Sequence, residues 1–408
     1  MKTRLRTIPL VLCLLIFMVG AGLRVVDLHD VRFRSPDEQT YASQAKQWSA
    51  NGIRSVADDW EKHPELAIFP SPVRLGFLFP LRLTQIMASD VTSDAGALLS
   101  CIASIMCLAL IGVIAWRHLS PIAAPIAMAL FAVCPPELTA ARRAWMESFI
   151  GCLAMLILLL LLECLHKPAA RGWLITAGAL VGWTVTVKET SMSQAGLLLL
   201  LLCFEFVRQQ RWREIATVVS SAAVTAMLGS WWVLHSMGGY NRTADFFHRA
   251  YAVVADEPYS RMYESGSAAT WLKGIWIADP LLVSLAAVGI ALLLTNRNTL
   301  LQWSAASSLL CFALPLTAAH RMNLRIAALG WAPLCFLAAA ATLSLWHWLK
   351  RYASNKEQRW VKSFAIAIFC FALIANYMSF RERFVITDLQ DLSLRMVLNQ
   401  PLPVIPER

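Results

Sequence analysis

Apolar residues in this chain occur in long, nearly uninterrupted runs, not at the alternating or three-to-four spacing of a half-buried strand or helix. The first run, residues 8–27, is broken only by Arg24 and Asp27 near its far end. It is long enough to cross a hydrocarbon core of about 30 Å. Ten more runs follow at 96–115, 121–136, 147–165, 172–187, 190–207, 214–234, 272–294, 300–318, 326–348 and 362–379, and each predicts a membrane-spanning helix. The expectation is an all-α, polytopic integral membrane protein with about eleven transmembrane helices. Residues 28–94 are too polar to span as a whole and interleave Trp60, Phe69, Phe77 and Phe79 with Arg74 and Arg82. That mixture suits helices lying in the plane of the interface.

The charges between the runs orient them. A basic leader, Lys2, Arg4 and Arg6, should stay in the cytoplasm. Alternate connections then bring Arg117 with His118, Lys167 with Arg171, Arg208 with Arg211 and Arg213, Arg297, and Lys350 through Lys362 to the inside. Every one of these turns obeys the positive-inside rule. Residues 73–88 offer an alternative span, but they carry Arg74, Arg82 and Pro80, and counting them would turn all later basic clusters outward. The first run is long for a cleaved signal and lacks a small-x-small cleavage site, so a retained helix is expected. The chain is read as a multi-pass protein of the cell membrane with a cytoplasmic N-terminus, in contact with membrane lipids.

Composition agrees and narrows the function. Of the 408 residues 58% are hydrophobic and only 15% charged, well below the usual quarter for soluble domains. The net charge of +10 lies in short clusters between runs, so it reads as topology, and no nucleic-acid partner is expected. All ten cysteines sit within the apolar runs without C-x-x-C spacing, as buried small hydrophobes do. No Gly-rich nucleotide fingerprint or internal repeat is present.

Against this topology, the connections on the opposite side break the charge rule. Ser35-Pro36-Asp37-Glu38-Gln39-Thr40-Tyr41 follows the first run; Arg142, Arg143 and Glu147 lie between the third and fourth; Lys188 and Glu189 lie at the next outer turn; and His320, Arg321 and Arg325 precede the tenth. Ionisable groups at membrane depth are costly, so they pair, line a wet cavity or serve function. Paired acids beside cations suit a site that handles a hydroxyl and a phosphate. A carboxylate can take a hydroxyl proton, while arginine forks and a lysine can hold a phosphate as it departs. A plainer reading stands beside each residue. Ser35 as N-cap, Pro36 at the first position and two acids in the first turn make a good helix start. Lys188 can snorkel, Arg142 and Arg143 can anchor to headgroups, and Glu147 can cap a helix.

Asp37-Glu38 with Tyr41 and Ala42, Lys62-His63-Pro64 with Arg74, Arg142 through Glu147 before a helix, and Lys188 at a helix end together resemble the protein O-mannosyltransferase and aminoarabinose transferase group of GT-C glycosyltransferases. The resemblance covers roughly residues 1–207. It implies a GT-C fold and transfer of a sugar from a polyprenyl-phosphate donor to a glycan, lipid or protein acceptor at the extracytoplasmic face, with inversion. It implies Asp37 as general base with Glu38 as partner, and an acid at Glu147 where many members carry Asp. Lys188, Arg142, Arg143, Arg24 and Arg325 are the expected phosphate ligands, with Tyr41 and His63 at the substrate. Here His63-Pro64-Glu65 stands where His-Pro-Pro is commoner. Some relatives use a divalent metal and others none, and no ligand set in this sequence decides between them. The expected organisation is a catalytic module at 1–234, including the outer loop 28–94, an outer loop at 235–271, C-terminal spans at 272–379 and an outer tail at 380–408. The rival reading is a transporter or flippase of lipid-linked sugars, although such proteins gather ionisable groups near the midplane and carry repeats with broken helices.

Overall fold

The computed structural model describes residues 4–26, 28–48, 52–62, 73–166, 171–255, 267–295, 297–317, 323–352, 357–389 and 391–400. His63 and the His320-Arg321 pair lie outside these described residues. Among the described residues there is no strand, and a β-bridge joins Asn323 to Ser393.

All eleven expected segments are helical. α1 (Arg4–Val25), α5 (Ser93–His118), α8 (Glu147–His166), α10 (Glu189–Arg208), α11 (Trp212–Met237), α16 (Trp331–Tyr352, with the turn Ala328–Gly330 before it) and α17 (Glu357–Phe380, with the turn Arg381–Ile386 after it) form the seven spans that are long and apolar enough to cross a membrane. Two expected spans are bent pairs. α6 (Ala123–Ala132) turns by 63° into α7 (Pro135–Ala141), and α13 (Ala268–Ala278) turns by 111° into α14 (Pro280–Leu292). Proline explains both breaks, because its ring disfavours the helical conformation in the residue before it, and Cys134 and Asp279 stand at those positions. Asp279 then caps α14, accepting from Leu282 N at 3.0 Å. The run 272–294 is therefore not a straight span, because an apolar count does not register a capping Asp-Pro. With each bent pair counted once, the described residues hold up to nine spans. The expected eleven would need two shorter elements as well, α9 (Arg171–Trp183) with its 3₁₀ turn Thr184–Thr186, and α15 (Thr299–Thr317).

The first connection folds into three short helices, α2 (Pro36–Lys46), α3 (Arg54–Lys62) and α4 (Leu75–Ala88). α4 has 14 residues, about 21 Å at 1.5 Å per residue, too short to cross. It packs on α2 and α5, so the first connection sits directly on the helix bundle. The amphipathic α12 (Tyr240–Ala255) follows α11. α9 and α11 form a close pair in which a Cβ on Gly178 or Gly182 would overlap the carbonyl oxygen of Val218 or Ala222. Small residues four apart bring two backbones together in this way without any hydrophobic drive from water. α8 packs against both α5 and α10, and α10 against α15. This arrangement brings the starts of α2, α8 and α10 to one end of the bundle.

Candidate active site

The site begins with the local chemistry of α2. Ser35 and Pro36 start the helix, and Glu38, at the third position, turns back to accept from Ser35 N at 2.6 Å. This is the return half of a capping box. Neighbouring residues on a helix project about 100° apart, so Asp37 cannot face the same way. Glu38 points into the protein with its side chain fully buried, while Asp37 keeps 22% of its side chain exposed.

Those two directions give the acids different roles. Glu38 Oε1 accepts from Arg34 Nη1 at 3.3 Å and Ala144 N at 2.8 Å, and Oε2 accepts from Ser35 N and from Arg143 Nη1 at 3.2 Å. Four donors fill its acceptor capacity, so Glu38 ties α2 to the turn before α8 and has no free lone pair for a substrate proton. Among the described residues Asp37 has a single partner, Arg325 Nη1 at 3.0 Å from Oδ2, and its other oxygen accepts no hydrogen bond there.

Arg325 is the hub of the open cluster. It reaches Asp37, Glu147 Oε1 at 3.5 Å and Asp391 Oδ1 at 3.8 Å, and its guanidinium lies 4.3 Å from the centre of the Trp145 ring. Burial opposes its charge, but the three carboxylates outweigh burial and hold the guanidinium protonated well above the ordinary range. Lys188 donates to the same Glu147 oxygen at 2.8 Å, and Glu147 Oε2 is buried without a hydrogen-bond partner among the described residues. Burial lowers the Lys188 ammonium pKa, with Glu147 opposing the shift. Arg74 donates to the Tyr41 hydroxyl. That hydroxyl is buried, and burial raises its pKa above the ordinary value, so it stays a hydroxyl. Tyr41 is fixed edge-on against Phe77 at 5.3 Å.

Five of the expected residues, Asp37, Tyr41, Glu147, Lys188 and Arg325, thus come together from chain positions 288 residues apart at the extremes. Others serve the frame. Arg143 is buried, and its two terminal nitrogens donate to Phe33 O at 2.6 Å, Glu38, Asp388 at 3.3 Å and Leu389 O at 3.2 Å. Arg142, also buried, donates to Phe384 O at 3.0 Å. Arg24 sits apart, donating to Ser104 Oγ at 2.6 Å, Gly20 O at 3.0 Å, Ala132 O at 3.3 Å and Phe131 O at 3.2 Å, while Ser104 donates on to Glu137 at 2.6 Å. It joins α1, α5 and α6 inside the bundle, where a buried guanidinium needs such partners. Asp391, which approaches Arg325, was not singled out from the sequence, and Arg74 entered there only within the interfacial pattern and the resemblance. The usable signal for Asp391 was its place: an acid in the tail after the last span, on the same expected side as Asp37. Among the described residues no three of His, Cys, Asp and Glu stand close enough to hold a metal ion.

No family model and no curated protein matches this sequence. Solved structures do match. ArnT of Cupriavidus metallidurans bound to undecaprenyl phosphate superposes with a TM-score of 0.62 at 14% identity, over 95% of this chain and 85% of that one. Its apo state gives 0.59 at 15% identity, over 94% and 74%. The archaeal oligosaccharyltransferase AglB of Archaeoglobus fulgidus, in complex with an inhibitory peptide and a dolichol-phosphate, gives 0.56 at 13% identity, over 93% of this chain and 56% of that one. The fold is the GT-C fold. At these identities the likeness speaks for architecture alone. Within this fold Asp37 at the start of α2, Lys188 at the start of α10 and Arg325 ahead of α16 meet at one end of the bundle.

Proposed function

We propose that this protein is a membrane glycosyltransferase that moves a sugar from a polyprenyl phosphate to a hydroxyl acceptor, a glycan, lipid or protein, at the extracytoplasmic face. The observation that carries this reading is the chain of contacts Asp37–Arg325–Glu147–Lys188, in which a carboxylate with one open oxygen stands beside two fixed cations. The likeness to ArnT with bound undecaprenyl phosphate and to AglB with bound dolichol-phosphate supports the donor class.

In this mechanism the donor phosphate enters beside Lys188, Arg325 and Arg74, with its lipid tail left among the helices. The acceptor hydroxyl donates to the open oxygen of Asp37. As the acceptor oxygen bonds to the anomeric carbon, its proton passes to Asp37 and the bond from that carbon to the phosphate oxygen breaks. The phosphate keeps the electron pair, and attack from the opposite side inverts the centre. The cluster is suited to that charge flow. Asp37, Glu147 and Asp391 balance Lys188, Arg325 and Arg74, so negative charge growing on the phosphate is met by preoriented donors. Glu147 takes part through those cations, holding Lys188 and Arg325 on one carboxylate oxygen.

The test is a transfer assay on purified protein in lipid, with a panel of radiolabelled polyprenyl-phosphate sugars. Release of polyprenyl phosphate from one donor, slowed about a thousandfold by Asp37→Asn, is the expected result. A donor that binds, is never consumed and crosses liposome membranes with this protein would overturn the transferase reading in favour of a flippase.

A further inference from the structure

After α17 the chain turns back on the molecule. A π-helical turn, Arg381–Ile386, leads off the helix, and Asp388 adopts the left-handed conformation at φ 49°. The returning segment then crosses the rim of the site. Leu324 N donates to Leu392 O at 2.9 Å, and Asn323 bridges to Ser393. Leu394, the first residue of α18 (Leu394–Val397), is fully buried against α13 at Gly274, where a Cβ would overlap Leu394 Cδ1.

This strap brings two acids to the two acids of α2, each through one arginine. Glu38 pairs with Arg143 at 3.2 Å, and Arg143 with Asp388 at 3.3 Å. Asp37 pairs with Arg325 at 3.0 Å, and Arg325 approaches Asp391 at 3.8 Å. The first relay is sealed, with side-chain exposures of 0, 3 and 6%, whereas the second is open at 22, 13 and 15%. A sealed relay can only latch the strap down, but an open one meets substrate.

Asp391 is itself firmly held. Its Oδ1 accepts from Leu392 N at 2.8 Å and its Oδ2 from Asn323 Nδ2 at 3.0 Å, while Asn323 Oδ1 accepts from Arg325 N at 2.9 Å. One Asn–Asp pair therefore locates both the backbone and the charged end of Arg325. Arg325 Nε has no hydrogen-bond partner among the described residues, which leaves the orientation of the guanidinium to the Trp145 face and the three carboxylates. Resting on the transferase reading above, the geometry points to Asp391 as a positioning residue of the transfer reaction, holding Arg325 between Asp37 and Glu147 so that one guanidinium serves both the base and the departing phosphate.

The experiment compares wild type, Asp391→Asn, Asp391→Glu and Asp37→Asn in the transfer assay, with melting temperatures measured in the same lipid. Asp391→Asn is expected to lower kcat at least about tenfold, the scale of a misplaced catalytic group, with donor KM and melting temperature close to wild type. Asp391→Glu, which keeps the charge but displaces it, is expected to fall between. A purely structural role would instead lower the melting temperature and leave kcat per folded molecule intact, overturning the proposal. If Asp391→Asn fails to fold, Asp391→Glu decides: an intermediate kcat upholds the role and a wild-type kcat overturns it. A wild-type kcat in both Asp391 variants while Asp37→Asn is inactive would reject the strap's role and leave the transferase reading standing. Equal rates in all four proteins would reject both.

Discussion

At the scale of single residues, one helical step separates two functions. Asp37 and Glu38 are adjacent acids, yet Glu38 receives four donors in a dry setting and Asp37 a single arginine at an open face. Removing a buried, fully paired carboxylate leaves its cationic partners uncompensated. Glu38→Ala is therefore expected to cost about 3 kcal/mol of stability, seen as a lower melting temperature, whereas Asp37→Asn melts as wild type and fails in transfer. Lys188 gives a pH signature. Burial lowers its pKa, so the ammonium is lost as pH rises at a lower pH than for an ordinary lysine near about 10.4. Donor-phosphate binding should be complete below that lowered value and fall as pH rises through it. Lys188→Arg should move the alkaline decline upward, because a guanidinium stays protonated. A binding titration against pH with both proteins checks this, and superimposable alkaline limbs would remove Lys188 from the phosphate site.

At the scale of elements, the breaks in the helices were written in the sequence as Cys134-Pro135-Pro136 and Asp279-Pro280, and a count of apolar residues passes over both. The close α9–α11 pair was likewise spelled out by Gly178 and Gly182 at a spacing of four. The carbonyl oxygens facing them belong to backbone and cannot rotate aside, so Gly182→Leu should separate the two helices. The expected outcome is a loss of about 2 kcal/mol or more, from overpacking, read as a lower melting temperature with no change in kcat for the protein that remains folded. α10 carries Lys188 at its start and contacts both α9 and α11, so a drop in kcat per folded molecule would mean that this pair also sets the site geometry. The strap could not be read at this scale, since Asp388 and Asp391 acquire meaning only when the chain returns from α17 to Arg143 and Arg325.

At the scale of the whole molecule, the cluster fixes which helix ends share a face. Asp37, Glu147, Lys188 and Arg325 touch, so the starts of α2, α8 and α10 lie together, and the turn after α10 must lie one helix length away, about 30 Å for its 20 residues. Combined with the basic clusters, this arrangement predicts sidedness. A cysteine introduced at exposed Gln39 should react with a membrane-impermeant maleimide on intact cells, and one at exposed Gln209 only after permeabilisation. The reverse pattern would invert the proposed orientation.

The sequence by itself determined that the chain is helical and membrane-embedded, and which connections carry misplaced charge. These follow from the local cost of bringing polar groups into hydrocarbon, a cost each segment meets largely alone. Tertiary structure decided which of those charges stay partly open at one end of the bundle and which are buried in the frame. Asp37 and Arg325 are 288 positions apart, and Arg24, Arg142 and Arg143 look like phosphate ligands in the linear chain. A buried charge takes whatever partner the packed helices bring to it. Only packing could give Arg143 to Glu38 and Asp388, Arg24 to carbonyls of its own bundle, and Arg325 to the open side of Asp37.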